Sequence, residues 1–241
     1  VFKGNSMKAY KIVASFVVAL ASAASFAAPN IYNNSIAAGT AAFDATVAGV
    51  GGTVKTQALT GLSYDSSWSF ADFTITSTSG NNRSIDTSYL SSGNAIGINP
   101  VGPNFAGSGL TFTFANAINA FGLEIGDWAT CCAPSSLYIA FDGGAILKVA
   151  TALTDSDNPG YVAGDGYRNF VAGIDTSNTF KTITFYGDGY GEYLVAGGTI
   201  RYSSLPIGSV SPVPEAETYA MMLAGLGLMG AVVRRRKAKA A

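Results

Sequence analysis

The sequence predicts a mainly β protein, an antiparallel β-sandwich or jelly-roll-like domain with one short N-terminal helix. Three observations carry this. Apolar residues recur at every second position through much of residues 68–202. Clusters of Gly, Asn, Asp, Ser and Pro break that pattern at short intervals. A helical period shows clearly in only one stretch of the central chain.

That stretch comes first. Residues 35–50 are Ala-rich and predict a helix over Thr40 to Ala48, with Phe43 and Val47 on one face and Gly51-Gly52 ending it. Trp68, Phe70 and, after a slip at Ala71-Asp72, Phe73 and Ile75 then alternate as in a strand. Leu110, Phe112 and Phe114 share one face of the next. Ala120 to Trp128, Leu137 to Phe141, Ala145 to Ala150, Phe170 to Ile174, Phe180 to Tyr186 and Tyr193 to Tyr202 follow as further strands. Turn chemistry separates them at Ser79-Gly80-Asn81-Asn82, Asn99-Pro100-Val101-Gly102-Pro103 and Asp157-Asn158-Pro159-Gly160. Asp142-Gly143-Gly144 is the strongest hairpin signal. Many short strands with such punctuation fit a two-sheet antiparallel architecture. Gly-Asp-Gly-Tyr occurs at Gly164 to Tyr167 and again at Gly187 to Tyr190, which is short enough to be two turns of similar composition.

The two ends have a different character. Val1 to Ser6 precede Met7, which reads as a start, so the first six residues are taken as upstream sequence. Lys8 and Lys11, an apolar run from Ile12 to Ala24, and Ser25-Phe26-Ala27 form a basic, apolar and small-residue series, the order of a secretory signal peptide. Cleavage is expected after Ala27 or Ala28 by signal peptidase, following passage through the Sec translocon. At the other end, no residue from Tyr219 to Val233 is charged, and Arg234, Arg235, Arg236 and Lys237 follow directly. At about 1.5 Å per residue the run spans roughly 22 Å, short of the ~30 Å hydrocarbon core, but it crosses if the bilayer thins or the flanks snorkel. The basic cluster is expected to stay cytoplasmic, leaving the preceding domain outside. The chain therefore divides into upstream residues and signal peptide at 1–28, a sandwich domain at 29–204, a linker at 205–213 and a tail at 214–241.

Val213, Pro214 and Glu215, the short apolar run and the Arg-rich end resemble the PEP-CTERM sorting signal. The resemblance covers about the last thirty residues. Pro214 and Glu215 match the first two motif positions, and Ala216 stands where proline is usual. The resemblance implies export in an exopolysaccharide-producing Gram-negative bacterium. It also implies transient anchoring in the inner membrane, then removal of the tail by an exosortase, a membrane-embedded cysteine protease.

Composition narrows the function classes. The whole chain has a formal charge of −1, but residues 29–213 hold six Lys and Arg against thirteen Asp and Glu, a net of −7. This argues against nucleic acid, which needs a basic face. The absence of histidine removes Ser-His and Cys-His catalysis and every His-ligated metal site. Cys131 and Cys132 are adjacent. Their Cα atoms lie about 3.8 Å apart, below the usual disulfide range of about 4.4–6.8 Å, so bonding to each other requires a strained ring. A vicinal disulfide, two thiols and an intermolecular bridge all remain open.

Three constellations could carry chemistry. Asp155, Asp157 and Asp165 fall in one glycine-rich loop and Asp188 in a later one. Hard oxygen ligands on loops suit Ca²⁺, although turn-forming Asp explains the same pattern and no Glu closes a calcium loop. Glu124 and Asp127, with Glu192, are the carboxylates available for glycoside hydrolysis. On a regular strand Leu123 and Ile125 face the core and Glu124 faces solvent, so a solvated outer-face acid is the plainer reading. Tyr167, Tyr190 and Tyr193, with Tyr161 and Tyr186, concentrate near the two Gly-Asp-Gly-Tyr loops. Aromatic faces beside acids suit stacking on sugars, while strands also favour tyrosine for packing. The leading expectation is a non-enzymatic surface or matrix protein that contacts exopolysaccharide. The alternatives are a calcium-dependent carbohydrate-binding module and a carboxylate glycoside hydrolase.

Overall fold

The computed structural model describes residues 29–98, 108–188 and 193–209. Signal peptide, apolar run, basic stop and sorting residues all lie outside the described residues. Among the described residues, no helix is long and apolar enough to cross a membrane.

Among the described residues, thirteen strands form two antiparallel sheets. The seven-stranded sheet runs β1 (Asn30–Ser35), β11 (Asn169–Ile174), β8 (Ala120–Gly126), β13 (Val195–Ser203), β6 (Ala95–Gly97), β5 (Ile85–Asp86), with β2 (Lys55–Ala58) also on β13. The six-stranded sheet runs β10 (Leu147–Ala152), β9 (Ser135–Phe141), β12 (Phe180–Gly187), β7 (Gly109–Ile118), β4 (Phe73–Ser77), β3 (Ser67–Ser69). The protein is a β-sandwich, as the alternation predicts. The core lies between the sheets: Phe73, Ile75, Leu110, Phe112, Ile139, Ile183 and Phe185 from one meet Phe121, Leu123, Ile125, Val171, Ala196 and Ile200 from the other. Alternation is clean where a sheet has one wet face, as in β4, whose odd-numbered residues Phe73, Ile75 and Ser77 are buried.

β8 and β11 are buried along their whole length. Their second face lies under α1 (Ile36–Gly49), whose Phe43 and Val47 pack with Ala120, Phe170, Ala172 and Ile174. Gly122 sits beneath the Phe170 ring, where a Cβ would fall 2.3 Å from Cζ. The helix begins four residues before the predicted Thr40. Ser35 is its N-cap and accepts from the Ala38 amide at 3.4 Å. Single-sequence periodicity misses that first turn because Ile36, Ala37 and Ala38 add little contrast between faces.

Three further differences concern short elements. β1, β2, β5 and β6 escape the sequence reading, since none exceeds six residues or alternates strongly. The strand expected at Ala145 to Ala150 is β10, shifted two residues later. Asp142 (φ 49°) and Gly143 (φ 67°) form the two positive-φ positions of the β9–β10 turn, closed by Gly144 N–H donating to Phe141 C=O at 2.9 Å. Leu205, read as the first linker residue, is buried, with Asn119 accepting from its amide at 2.6 Å and donating to its carbonyl at 2.9 Å.

Candidate functional site

Strand register places three connections at one end of the sandwich. Asn169 pairs with Ile125, Val195 with Gly126, Gly187 with Leu137, and Ala152 with Ser135. The β8–β9, β10–β11 and β12–β13 loops therefore emerge side by side, and they carry Asp155, Asp157, Asp165, Tyr167, Asp188 and Tyr193. The β5–β6 hairpin tip folds in beside them, where Arg168 Nη1 donates to the Leu90 carbonyl at 3.4 Å.

Asn158 organises this end. It is fully buried, and its amide donates to the Trp128 carbonyl at 2.7 Å and to the Tyr167 carbonyl at 3.3 Å. Its Oδ1 accepts from the Gly160 amide at 2.7 Å, capping α2 (Pro159–Val162). Gly160 packs so closely that a Cβ would lie 2.0 Å from the Arg168 carbonyl oxygen. The sequence signal for Asn158 was Asn-Pro-Gly, a turn signature, which carries no hint of the long-range bond to Trp128.

The predicted aspartates are distributed among separate structural tasks. Asp157 Oδ2 accepts from the amides of Leu153 (2.8 Å) and Thr154 (3.0 Å), and these bonds hold its carboxyl below the usual range. Asp165 accepts from Arg168 Nε through its backbone carbonyl at 2.6 Å, while its Oδ2 is buried with no hydrogen-bond partner among the described residues. Asp188 caps β9: its carboxylate accepts from the Ser136 amide and, at 2.7 Å, from the Tyr138 hydroxyl. Burial, then Asp188, pushes the Tyr138 hydroxyl up. Among the described residues no three of His, Cys, Asp and Glu gather into a group able to hold a metal ion.

The tyrosines are brought together in pairs. Tyr161 and Tyr167 stack with centroids 5.4 Å apart and planes at 29°. Tyr89 and Tyr193 meet at 5.2 Å and 59°. Tyr161 is 45% exposed, and Leu153 and Val162 of the same loop are also open to solvent. Burial first, then Asp155, raises the Tyr167 hydroxyl, so it stays a neutral donor at physiological pH. Tyr89 was missed because it lies far away in sequence, in the β5–β6 hairpin. Tyr190 lies outside the described residues.

Glu124 projects to the outer face of β8, opposite Leu123 and Ile125, as alternation requires, but it is not solvated. It is 3% exposed. Oε2 accepts from the Ser91 amide (2.9 Å) and hydroxyl (2.7 Å), and Oε1 from the Ser92 hydroxyl (3.0 Å). The hairpin 87–94 covers the face that a one-sheet reading leaves wet. Asp127, at φ 60°, follows β8, and burial raises its carboxyl. Glu192 lies outside the described residues. Cys131 and Cys132 are exposed on the β8–β9 loop, Cys132 at φ 62°.

Comparison with known proteins adds one assignment. The PEP-CTERM protein-sorting motif matches residues 212–237. The chain thus carries at its C-terminal end the sorting signal of exported proteins that its last residues resemble. No curated protein sequence matches the chain. Among solved structures, a point mutant of CBM29-2, a family 29 carbohydrate-binding module, is 11% identical with a TM-score of 0.37, covering 67% of this chain and 99% of that one. A family 29 carbohydrate-binding module is 11% identical with a TM-score of 0.36, covering 67% and 95%. Another CBM29-2 mutant, complexed with mannohexaose, is 14% identical with a TM-score of 0.35, covering 67% and 99%.

Proposed function

We propose that this is an exported, non-enzymatic protein of the cell surface or extracellular matrix, sorted by an exosortase, that meets exopolysaccharide through the tyrosines at the loop end of its sandwich. The signal peptide delivers the chain to the Sec translocon, and the tail holds it in the inner membrane until it is cut. The stacked Tyr161–Tyr167 pair, on a loop that also exposes Leu153 and Val162, is the observation that carries the binding half of this reading. Rigid aromatic faces that already touch lose little side-chain freedom when a pyranose ring lies across them. Tyr89 and Tyr193 extend the surface across the neighbouring loops, and Tyr190 falls in the same connection as Tyr193.

The test is retention of the protein in gels containing the host's exopolysaccharide. Tyr161→Ala with Tyr167→Ala is expected to weaken retention about tenfold, the equivalent of roughly 1.4 kcal/mol. Retention equal to that of the unaltered protein, with unchanged circular dichroism, removes the binding half. In the same preparation, intact mass reports both cut sites and whether Cys131 and Cys132 are oxidised.

A further inference from the structure

A recess at the opposite end of the sandwich has a chemistry of its own. There the ends of β7 and β13 meet the residue before β4 and the chain leading into β2, around a volume of about 440 Å³. Small-molecule pockets typically enclose about 300–1,000 Å³. Lys55, Asp72, Phe114, Asn116, Tyr202 and Ser204 contribute to the lining.

Three of these form a fixed polar unit. Tyr202 Oη donates to Asp72 Oδ2 at 2.7 Å, and Lys55 Nζ reaches the same oxygen at 3.1 Å. The ammonium also lies 6.0 Å from the Tyr202 ring centroid. Burial, then Asp72, pushes the Tyr202 hydroxyl up to about 12, so it remains a donor throughout the physiological range. The Tyr202 bond, followed by Lys55, holds the Asp72 carboxyl below its ordinary value. One cation against one anion leaves the recess without net charge. This lining discriminates between ligand classes. Because Asp72 balances Lys55, no surplus charge is left for a phosphate or a uronate. Lys55 and Asn116 are exposed and Asp72 is 40% exposed, which makes the mouth polar and disfavours a purely apolar ligand.

We propose that the recess takes an uncharged, hydroxyl-rich ligand, one or two units at the end of a neutral sugar chain. The ammonium and the Asn116 amide supply donors, and the Asp72 carboxylate and the Asn116 carbonyl supply acceptors. Phe114 forms the apolar floor. This inference rests on the reading that the protein meets polysaccharide, but it places a chain-end site away from the loop tyrosines.

Amide chemical-shift mapping on the full chain in detergent micelles tests it. The probes are cellotetraose, maltotetraose and mannotetraose, with glucuronate and inorganic phosphate as charged controls. Saturable shifts at Phe114, Asn116 and Tyr202 are expected with at least one neutral probe, at an apparent Kd of about 1 mM. Asp72→Asn should weaken that binding about tenfold. Tyr202→Phe, which keeps the ring and its packing, should weaken it in the same direction. No shift at the recess with any neutral probe, shifts there with the charged controls alone, or equal binding by both variants overturns the proposal. Shifts confined to the 161–167 loop overturn the recess while leaving the loop surface intact. Recess shifts alongside unchanged gel retention in the Tyr161→Ala, Tyr167→Ala variant do the reverse.

Discussion

Glu124 is a buried carboxylate that ties two segments 32 and 33 residues apart. Its oxygens accept from one amide and two hydroxyls, so the anion is satisfied by dipoles rather than by a cation. Glu124→Ala removes the acceptor of all three bonds, which tie the exposed Ser91 and Ser92 to β8, and each lost hydrogen bond costs about 0.5–1.5 kcal/mol. A fall of about 2 kcal/mol in urea unfolding is expected, with faster amide exchange at Ser91. An unchanged midpoint would mean that the hairpin is held by other contacts. Asp127 shows the opposite balance. Burial raises its carboxyl above 3.8, so the folded state favours the protonated form. The group therefore costs nothing below its unfolded value. Its cost grows as pH rises through the window between the unfolded and folded values, and is complete above that window. Asn tolerates the φ of 60° well. Asp127→Asn should raise Tm by about 2 °C at pH 7 and leave it unchanged at pH 3, read by thermal melts at both pH values.

At the scale of elements, α1 is a lid for the seven-stranded sheet. It has one buried stripe, Gly39, Phe43 and Val47, and is held at its flank by Arg201 Nη1, 2.9 Å from Asp44 Oδ2. The ion pair is partly exposed and contributes little. The stripe dominates, because Phe43 meets Phe170 edge-on at 5.9 Å between centroids. Phe43→Ala should cost about 3–5 kcal/mol in chemical denaturation, the range for a buried Phe. A loss below 1 kcal/mol would mean that the helix closes over the gap. Its period was legible in the sequence because Phe43 and Val47 are four apart. The strand pairs were less so: β8 and β11 are buried on both faces, and the signal for a two-faced strand is the same as that for any short apolar run.

The molecule as a whole joins a folded sandwich to a sorting motif at residues 212–237. Glu215→Ala is expected to leave a full-length form in the inner membrane, detected by fractionation and intact mass. Release of the variant at the usual size would contradict tail cleavage at this motif. The sequence by itself determined the sorting tail, the two-sheet class, the hairpin at Asp142-Gly143 and the helix around Phe43. Each is written in neighbouring residues through charge order, a period of two, positive-φ turn residues or a spacing of four. Only the tertiary structure decided that Glu124 is covered, that Asn158 reaches Trp128, that Tyr89 meets Tyr193, and that Lys55, Asp72 and Tyr202 form one unit. Those contacts join residues 17 to 147 positions apart. Where such contacts fall is fixed by strand order and by which loops share an end, and no local pattern encodes either.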